Sequence, residues 1–215
     1  MGLGGHLTWS AVAREVRRVH CPVHGAEVKV LPKENGHICR SELFEHNPNF
    51  TFNEEEPHFP LNMSLDRFAY NRIDGHNIHH WTARVHMTRN ILNELKIEDG
   101  KIEPEFYFSQ RTDQEVKQLL ASLATNKPII AIEPHSKVSF TPNKEYPFEK
   151  WQYVVNHIPA EFEVVQVSMP GKRQLEGVKS IDSMSFTTAA RFLQDCVLFI
   201  GPEGGLGLDQ WRSTS

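Results

Sequence analysis

From Phe106 onward the chain alternates short apolar runs with helical patterns of about a dozen residues, and this alternation restricts the fold more than any other feature. EFYFS (105–109) predicts a strand. TDQEVKQLLASLA predicts a helix capped by Thr112 or Asp113, and PIIAIEP a buried strand. PFEKWQYVVNHI follows as a helix with Pro147 in its first turn, where the missing N–H is tolerated. EFEVVQVS and VKSID read as strands, SFTTAARFLQDC as a helix, and CVLFIGPEGG as a strand running into a glycine-rich turn. Strands that alternate with helices dictate a parallel sheet with its faces covered, the α/β class.

The first half is less regular. TWSAVAREVRRV places Trp9, Val12, Val16 and Val19 on one helical face, with Thr8 as its cap. EVKVLP (27–32) predicts a short strand and ARVHMTRNILNELK (83–96) a second amphipathic helix, ended by acidic residues and Gly100. The stretch 47–77 is rich in Asn, Pro, Glu and Phe and has no clean period, so loop with short helical turns is expected. A linker is expected near Asp99–Pro104, which divides the chain into 1–103 and 104–215.

Three loops carry chemistry. GLGGHL opens the chain with a glycine turn at Gly4 and Gly5, then His6, then a helix N-terminus that favours negative charge. An imidazole there suits general-base work on a hydroxyl. A tight turn with an exposed histidine is the simpler reading of those six residues alone. The second loop, EPHSKVSFTPNKEYPFEKW, follows a buried strand and carries His135, Ser136, Lys137, Asn143 and Lys144. Hydroxyl, amide and two ammonium groups suit a diphosphate, where a plain connection would point its lysines into water. In the third, FIGPEGGLG, the strand CVLFI delivers Glu203 onto a turn whose Gly204 and Gly205 amides suit phosphate oxygens. Both later loops follow strands, and in open α/β sheets ligands bind beyond the carboxyl ends of strands.

A formal net charge of -4 and the lack of a basic stripe argue against a nucleic-acid partner. Nothing reads as a spanning helix or signal peptide, and three cysteines (Cys21, Cys39, Cys196) without CxxC spacing suit a reducing compartment. A cytoplasmic protein with at most peripheral membrane contact is expected. Two histidine clusters, Cys21-x2-His24 with His37-x-Cys39 and His76, His79, His80, are read as surface or interface groups, so no metal site is expected.

Taken in order, the three loops resemble those of the family 9 glycosyltransferases, the heptosyltransferase group of the GT-B fold. The resemblance runs through nearly the whole chain: GLGGHLTWSAVAREV is similar to the family's opening loop and helix, EVKVLP to its second strand, and ELFEHNP to an apolar stretch before an Asn-Pro. EPHSK…NKEYPFEKW is similar to the family's strand, loop, Lys-x-aromatic-Pro and aromatic-bearing helix. SFTTAARFLQDCVLFIGPEGG is similar to its helix, strand and Gly-Pro-Asp-Thr-Gly donor loop. Three departures stand out. Gly5 stands where the family has Asp after Gly, with His6 next, and the form is nearer to the G-x-G-G-H of the peptidoglycan N-acetylglucosaminyltransferase, where histidine is the proposed base. Glu203-Gly204 replaces Asp-Thr. The histidine beyond the donor loop has no counterpart.

The resemblance implies two Rossmann-like domains facing across a cleft, an acceptor-side one in 1–103 and a nucleotide-sugar-binding one in 104–215. It also implies a fragment truncated at both ends, lacking the first strand of one domain and the C-terminal part of the other. The implied activity is inverting, metal-independent hexosyl or heptosyl transfer from a nucleotide-diphosphate sugar to a glycan or lipid-linked acceptor. His6 would be the base, Ser136, Lys137, Lys144, Glu203, Gly204 and Gly205 would bind the donor, and no cofactor is needed. A catalytically inactive relative that only binds, and a GT-B nucleotide-sugar epimerase, are the alternatives.

Overall fold

The computed structural model describes residues 3–22, 28–63, 72–73, 76–77, 86–135, 145–182 and 184–202. The chain divides into two compact units, Met1–Tyr107 and Phe108–Ser215, so the division lies just past the Asp99–Pro104 linker expected above.

The first unit is organised by helix α1, Leu3–His20. Leu7, Trp9, Val12 and Val16 are fully buried along it, as the apolar period requires. The helix starts earlier than expected. Gly4 and Gly5 lie inside its first turn rather than in a turn ahead of it, and Thr8 is no cap: its hydroxyl donates back to the Gly4 carbonyl (3.3 Å). Glycine is tolerated at that end because first-turn N–H groups have no intrahelical acceptor in any case. Strand β1 (Lys29–Glu34) pairs antiparallel with β2 (His37–Ile38) and parallel with β3 (His58–Asn62), in the order β2-β1-β3. β3 lies in the stretch expected to be loop. β4 (Arg72–Ile73) and β5 (His76–Asn77) form a small antiparallel pair, and helix α2 (Met87–Glu94) packs on α1.

Glu15 is buried in α1, where Arg14 and Arg18 both bind its carboxylate at 2.7 Å. Arg14 also donates to the Lys101 and Glu103 carbonyls, and Arg18 pairs with Asp99, so the helix holds segment 99–105 in place. Gly100 fits under α2 because a Cβ there would stand 2.9 Å from Leu92 Cδ1.

The second unit is a parallel sheet in the order β8-β7-β6-β9. Its members are β6 (Ile129–Ile132), β7 (Glu163–Val167), β8 (Lys179–Ile181) and β9 (Leu198–Ile200), every pair parallel. Helices α3 (Gln110–Ser122) and α5 (Phe186–Leu193) pack together on one face, burying Val116, Ala189, Phe192 and Leu193 against Ala131, Val165 and Phe199. On the other face α4 (Phe148–Asn156) buries Trp151 against Ile132 and Leu175, with Val164 and Ile200 packed alongside. Neighbouring residues of one strand thus serve opposite cores, as a two-residue period demands. EFYFS is connecting chain rather than a strand. The α3 cap is Ser109, whose hydroxyl accepts from Thr112 N at 3.0 Å, in place of the expected Thr112 or Asp113. Asp113 instead pairs with Arg191 across the α3–α5 contact.

Candidate functional site

In the second unit the chain winds outward from β6 through α4 to β7 and β8, then returns through α5 to place β9 on the opposite side of β6. The winding therefore reverses between β6 and β9. A crevice opens at such a switch point because the two connections leave in opposite directions, and ligands of open α/β sheets bind there. The ladder carries through to the carboxyl ends, where Ile132 pairs with Ile200 and Glu133 N donates to Ile200 O (2.9 Å). The EPHSK loop leaves from one of these strands and the GPEGG loop from its neighbour.

Two residues stand at the carboxyl ends of β6 and β9. Gly201 closes β9; a Cβ there would stand 2.7 Å from Phe199 Cζ and 3.5 Å from Glu133 Cβ. The Glu133 carboxyl is half-buried, and burial raises its pKa from the ordinary 4.5 to about 7. A carboxyl held at a pKa near neutrality at a switch point is a functional-site feature that strand patterning alone does not single out. His135 is engaged locally, its Nε2 2.8 Å from the Arg173 carbonyl and its ring stacked on Phe148. Arg173 covers the same Phe148 ring at 4.1 Å and pairs with Glu149. These contacts tie the start of the EPHSK loop to the N-terminus of α4. Ser136, Lys137, Asn143, Lys144, Glu203, Gly204 and Gly205 lie outside the described residues.

In the first unit His6 sits in the first turn of α1, near the carboxyl end of β1, the end at which the parallel pair β1–β3 would offer a ligand site. Its Nδ1 lies 3.0 Å from Ser41 Oγ and its Nε2 3.7 Å from Cys39 Sγ. The Cys39 thiol in turn donates to Glu34 Oε2 at 3.7 Å. Burial lowers the His6 pKa below its usual value and the Glu34 charge opposes that; burial, then the same charge, raises that of Cys39. A neutral imidazole can accept a proton, and Ser41 fixes the ring's orientation. Phe44 packs against the imidazole at 5.3 Å.

Cys39 meets His6 and Glu34, His37 is exposed, and Cys21 is buried. His24, His79 and His80 lie outside the described residues. Glu34, Cys39 and Ser41 are missed as neighbours of His6 by any sequence window, because 33 residues separate Cys39 from the histidine. Among the described residues no helix is long and apolar enough to cross a membrane.

No family model and no curated protein matches this chain. A solved structure does: the crystal structure of the glycosyl transferase family 9 from Veillonella parvula DSM 2008 superposes with a TM-score of 0.67 over 97% of this chain and 74% of that one, at 12% identity. The likeness at that identity is one of fold, and the chain has the GT-B type α/β architecture of that protein.

Proposed function

We propose that this chain is a glycosyltransferase that moves a sugar from a nucleotide-diphosphate sugar to a hydroxyl of a glycan or lipid-linked acceptor. The observation that carries the reading is the reversal of winding between β6 and β9, with the EPHSK and GPEGG loops leaving the two strands that flank it. The fold shared with a family 9 glycosyl transferase supports it.

In this mechanism the acceptor hydroxyl attacks the anomeric carbon as the bond from that carbon to the diphosphate breaks, which inverts the centre. His6 takes the hydroxyl proton as the oxygen becomes bonded to carbon. Lys137 and Lys144 hold the negative charge that grows on the departing diphosphate, with Ser136 and the Gly204 and Gly205 amides as further donors. Glu203 accepts hydrogen bonds from ribose or sugar hydroxyls. The fixed cations supply the charge stabilisation that a divalent metal supplies in other transferases, so the donor is a substrate and no cofactor takes part.

The test is turnover with UDP-, GDP- and ADP-sugars and a mixed glycan acceptor pool, with nucleoside diphosphate release and product mass followed together. Transfer is the expected outcome; isomerised donor would make the chain an epimerase, and donor binding without turnover a binding protein. His6→Ala is expected to lower kcat by about 10²–10⁴-fold with donor affinity nearly unchanged. His6→Asp should recover part of the loss. Full turnover in His6→Ala would remove the histidine from the mechanism.

A further inference from the structure

His6, Glu34 and Cys39 come from three separate places, the first turn of α1, the end of β1 and the residue after β2, yet one ligand atom of each lies within 4.8 Å of the others. The donor set is imidazole nitrogen, thiol sulfur and carboxylate oxygen. Magnesium and calcium prefer all-oxygen sites, whereas nitrogen and sulfur together select zinc and its neighbours. The spacing fits as well. Tetrahedral zinc with bonds of about 2.3 Å to sulfur and 2.0 Å to nitrogen or oxygen separates those ligands by about 3.5 Å. Cys39 Sγ stands 3.7 Å from His6 Nε2 and 3.7 Å from Glu34 Oε2, so these two pairs need to close by only a few tenths of an ångström, and the His6–Glu34 pair lies within 4.8 Å.

The outer contacts are those of a metal-ligating histidine. Nε2 faces the thiol while Nδ1 lies 3.0 Å from Ser41 Oγ, a partner that fixes the ring and turns the coordinating nitrogen inward. Cys39 is buried, and Glu34 and His6 are half-buried, so a cation there would be partly withdrawn from water.

We propose that His6 Nε2, Cys39 Sγ and a Glu34 carboxylate oxygen bind one divalent cation of the zinc class, with the fourth coordination position open. Binding replaces the S–H bond by a sulfur–zinc bond and the thiol proton passes to solvent; no oxidant or reductant is involved. Because zinc takes the Nε2 lone pair, occupancy and proton acceptance by His6 exclude each other. Zinc is therefore an inhibitor of transfer, a consequence that rests on the function proposed above.

The experiment uses the full chain and two probes, Co²⁺ and Zn²⁺. Cobalt is expected to bind with one equivalent per chain and a thiolate-to-cobalt absorption band, which Cys39→Ser abolishes. Glu34→Gln should weaken zinc at least about tenfold, and Ser41→Ala about 10- to 100-fold, by competition against a chromophoric chelator. A chain carrying His76→Ala, His79→Ala and His80→Ala together should keep both the band and the affinity. Absence of the band in the wild type, or its persistence in Cys39→Ser, overturns the site. If Cys39→Ser fails to fold, unchanged zinc affinity in Glu34→Gln overturns it equally. Activity separates the two readings. Zinc should suppress transfer and EDTA restore it. A chain that shows the cobalt band yet transfers unaltered at saturating zinc keeps the site and refutes His6 as the base. A chain without the band that loses turnover in His6→Ala refutes the site alone.

Discussion

The Glu133 carboxyl offers a direct test of the crevice between β6 and β9. Burial raises its pKa from 4.5 to about 7, and among the described residues no charge lowers it again. Below pH 4.5 the carboxyl is protonated in both folded and unfolded chains and contributes no pH dependence. Between 4.5 and about 7 the unfolded chain loses the proton while the folded chain keeps it. Unfolding then releases a proton, so stability falls as pH rises through this window and levels off above it. At 1.36 kcal/mol per pK unit the full effect is at most about 3 kcal/mol, less whatever water reaches a half-buried group. Glu133→Gln keeps the shape and removes the charge. The assay is urea unfolding of wild type and Glu133→Gln at several pH values from 4 to 8.5. The variant should match wild type near pH 4 and exceed it by about 2–3 kcal/mol above pH 7.5. Parallel profiles would refute the reasoning, since they require a carboxyl that is hydrated or already neutralised by a cation. Added nucleotide-diphosphate sugar refines the test: a donor that fills the crevice beside Glu133 should change the gap between the two profiles.

Two further changes probe the same end of the sheet. Gly201→Ala puts a methyl group 2.7 Å from Phe199 Cζ, and that ring is buried against α3 and α5 with little room to swing, so unfolding experiments should show a loss of about 1–3 kcal/mol; no loss would mean that the crevice rim yields. Lys144→Ala should lower kcat about 10²-fold through weaker stabilisation of the leaving diphosphate, while Lys117→Ala on the exposed side of α3 leaves it unchanged, and equal small effects would make the loop a mere connector.

The second unit was legible because its elements are long, strongly periodic and locally punctuated. β6 is four consecutive buried residues, and α5 opens on Ser185, whose hydroxyl caps Thr188 N. Structure departs from local pattern where tertiary pairing overrides it. His58–Asn62 carries Pro60 and two polar ends, and reads as loop; it is a strand because β1 offers it a parallel ladder from Lys29↔His58 to Lys33↔Asn62. EFYFS has the opposite character, aromatic in pattern, but it joins no strand ladder among the described residues, and Ser109 is used to start α3 instead. The cap lies three residues before Thr112, although Ser109 and Thr112 are both good caps in isolation. Geometry chose the first, with Thr112 supplying the N–H and a hydroxyl 2.9 Å from Ser109 Oγ.

The site divides along the same line. Loops that follow strands can be placed from sequence alone, because a parallel sheet sends every carboxyl end to one edge. What those loops face cannot be read that way, since it depends on which strand becomes the neighbour. EPHSK and GPEGG are more than sixty residues apart in order, and the strands that precede them are neighbours only because β9 returns past β7 and β8 to pair with β6. His6 shows the same dependence in the first unit. Its residue type and its place at a helix start were visible, whereas Glu34, Cys39 and Ser41 reach it through the turn between β1 and β2, which folds Cys39 back so that its N–H meets the Pro32 carbonyl at 2.9 Å. That turn passes through Asn35 and Gly36, both at positive φ (51° and 81°), a backbone path open to glycine and asparagine at little strain. A two-residue turn thus decides which side chains surround the imidazole, and with them whether it meets a hydroxyl or a cation.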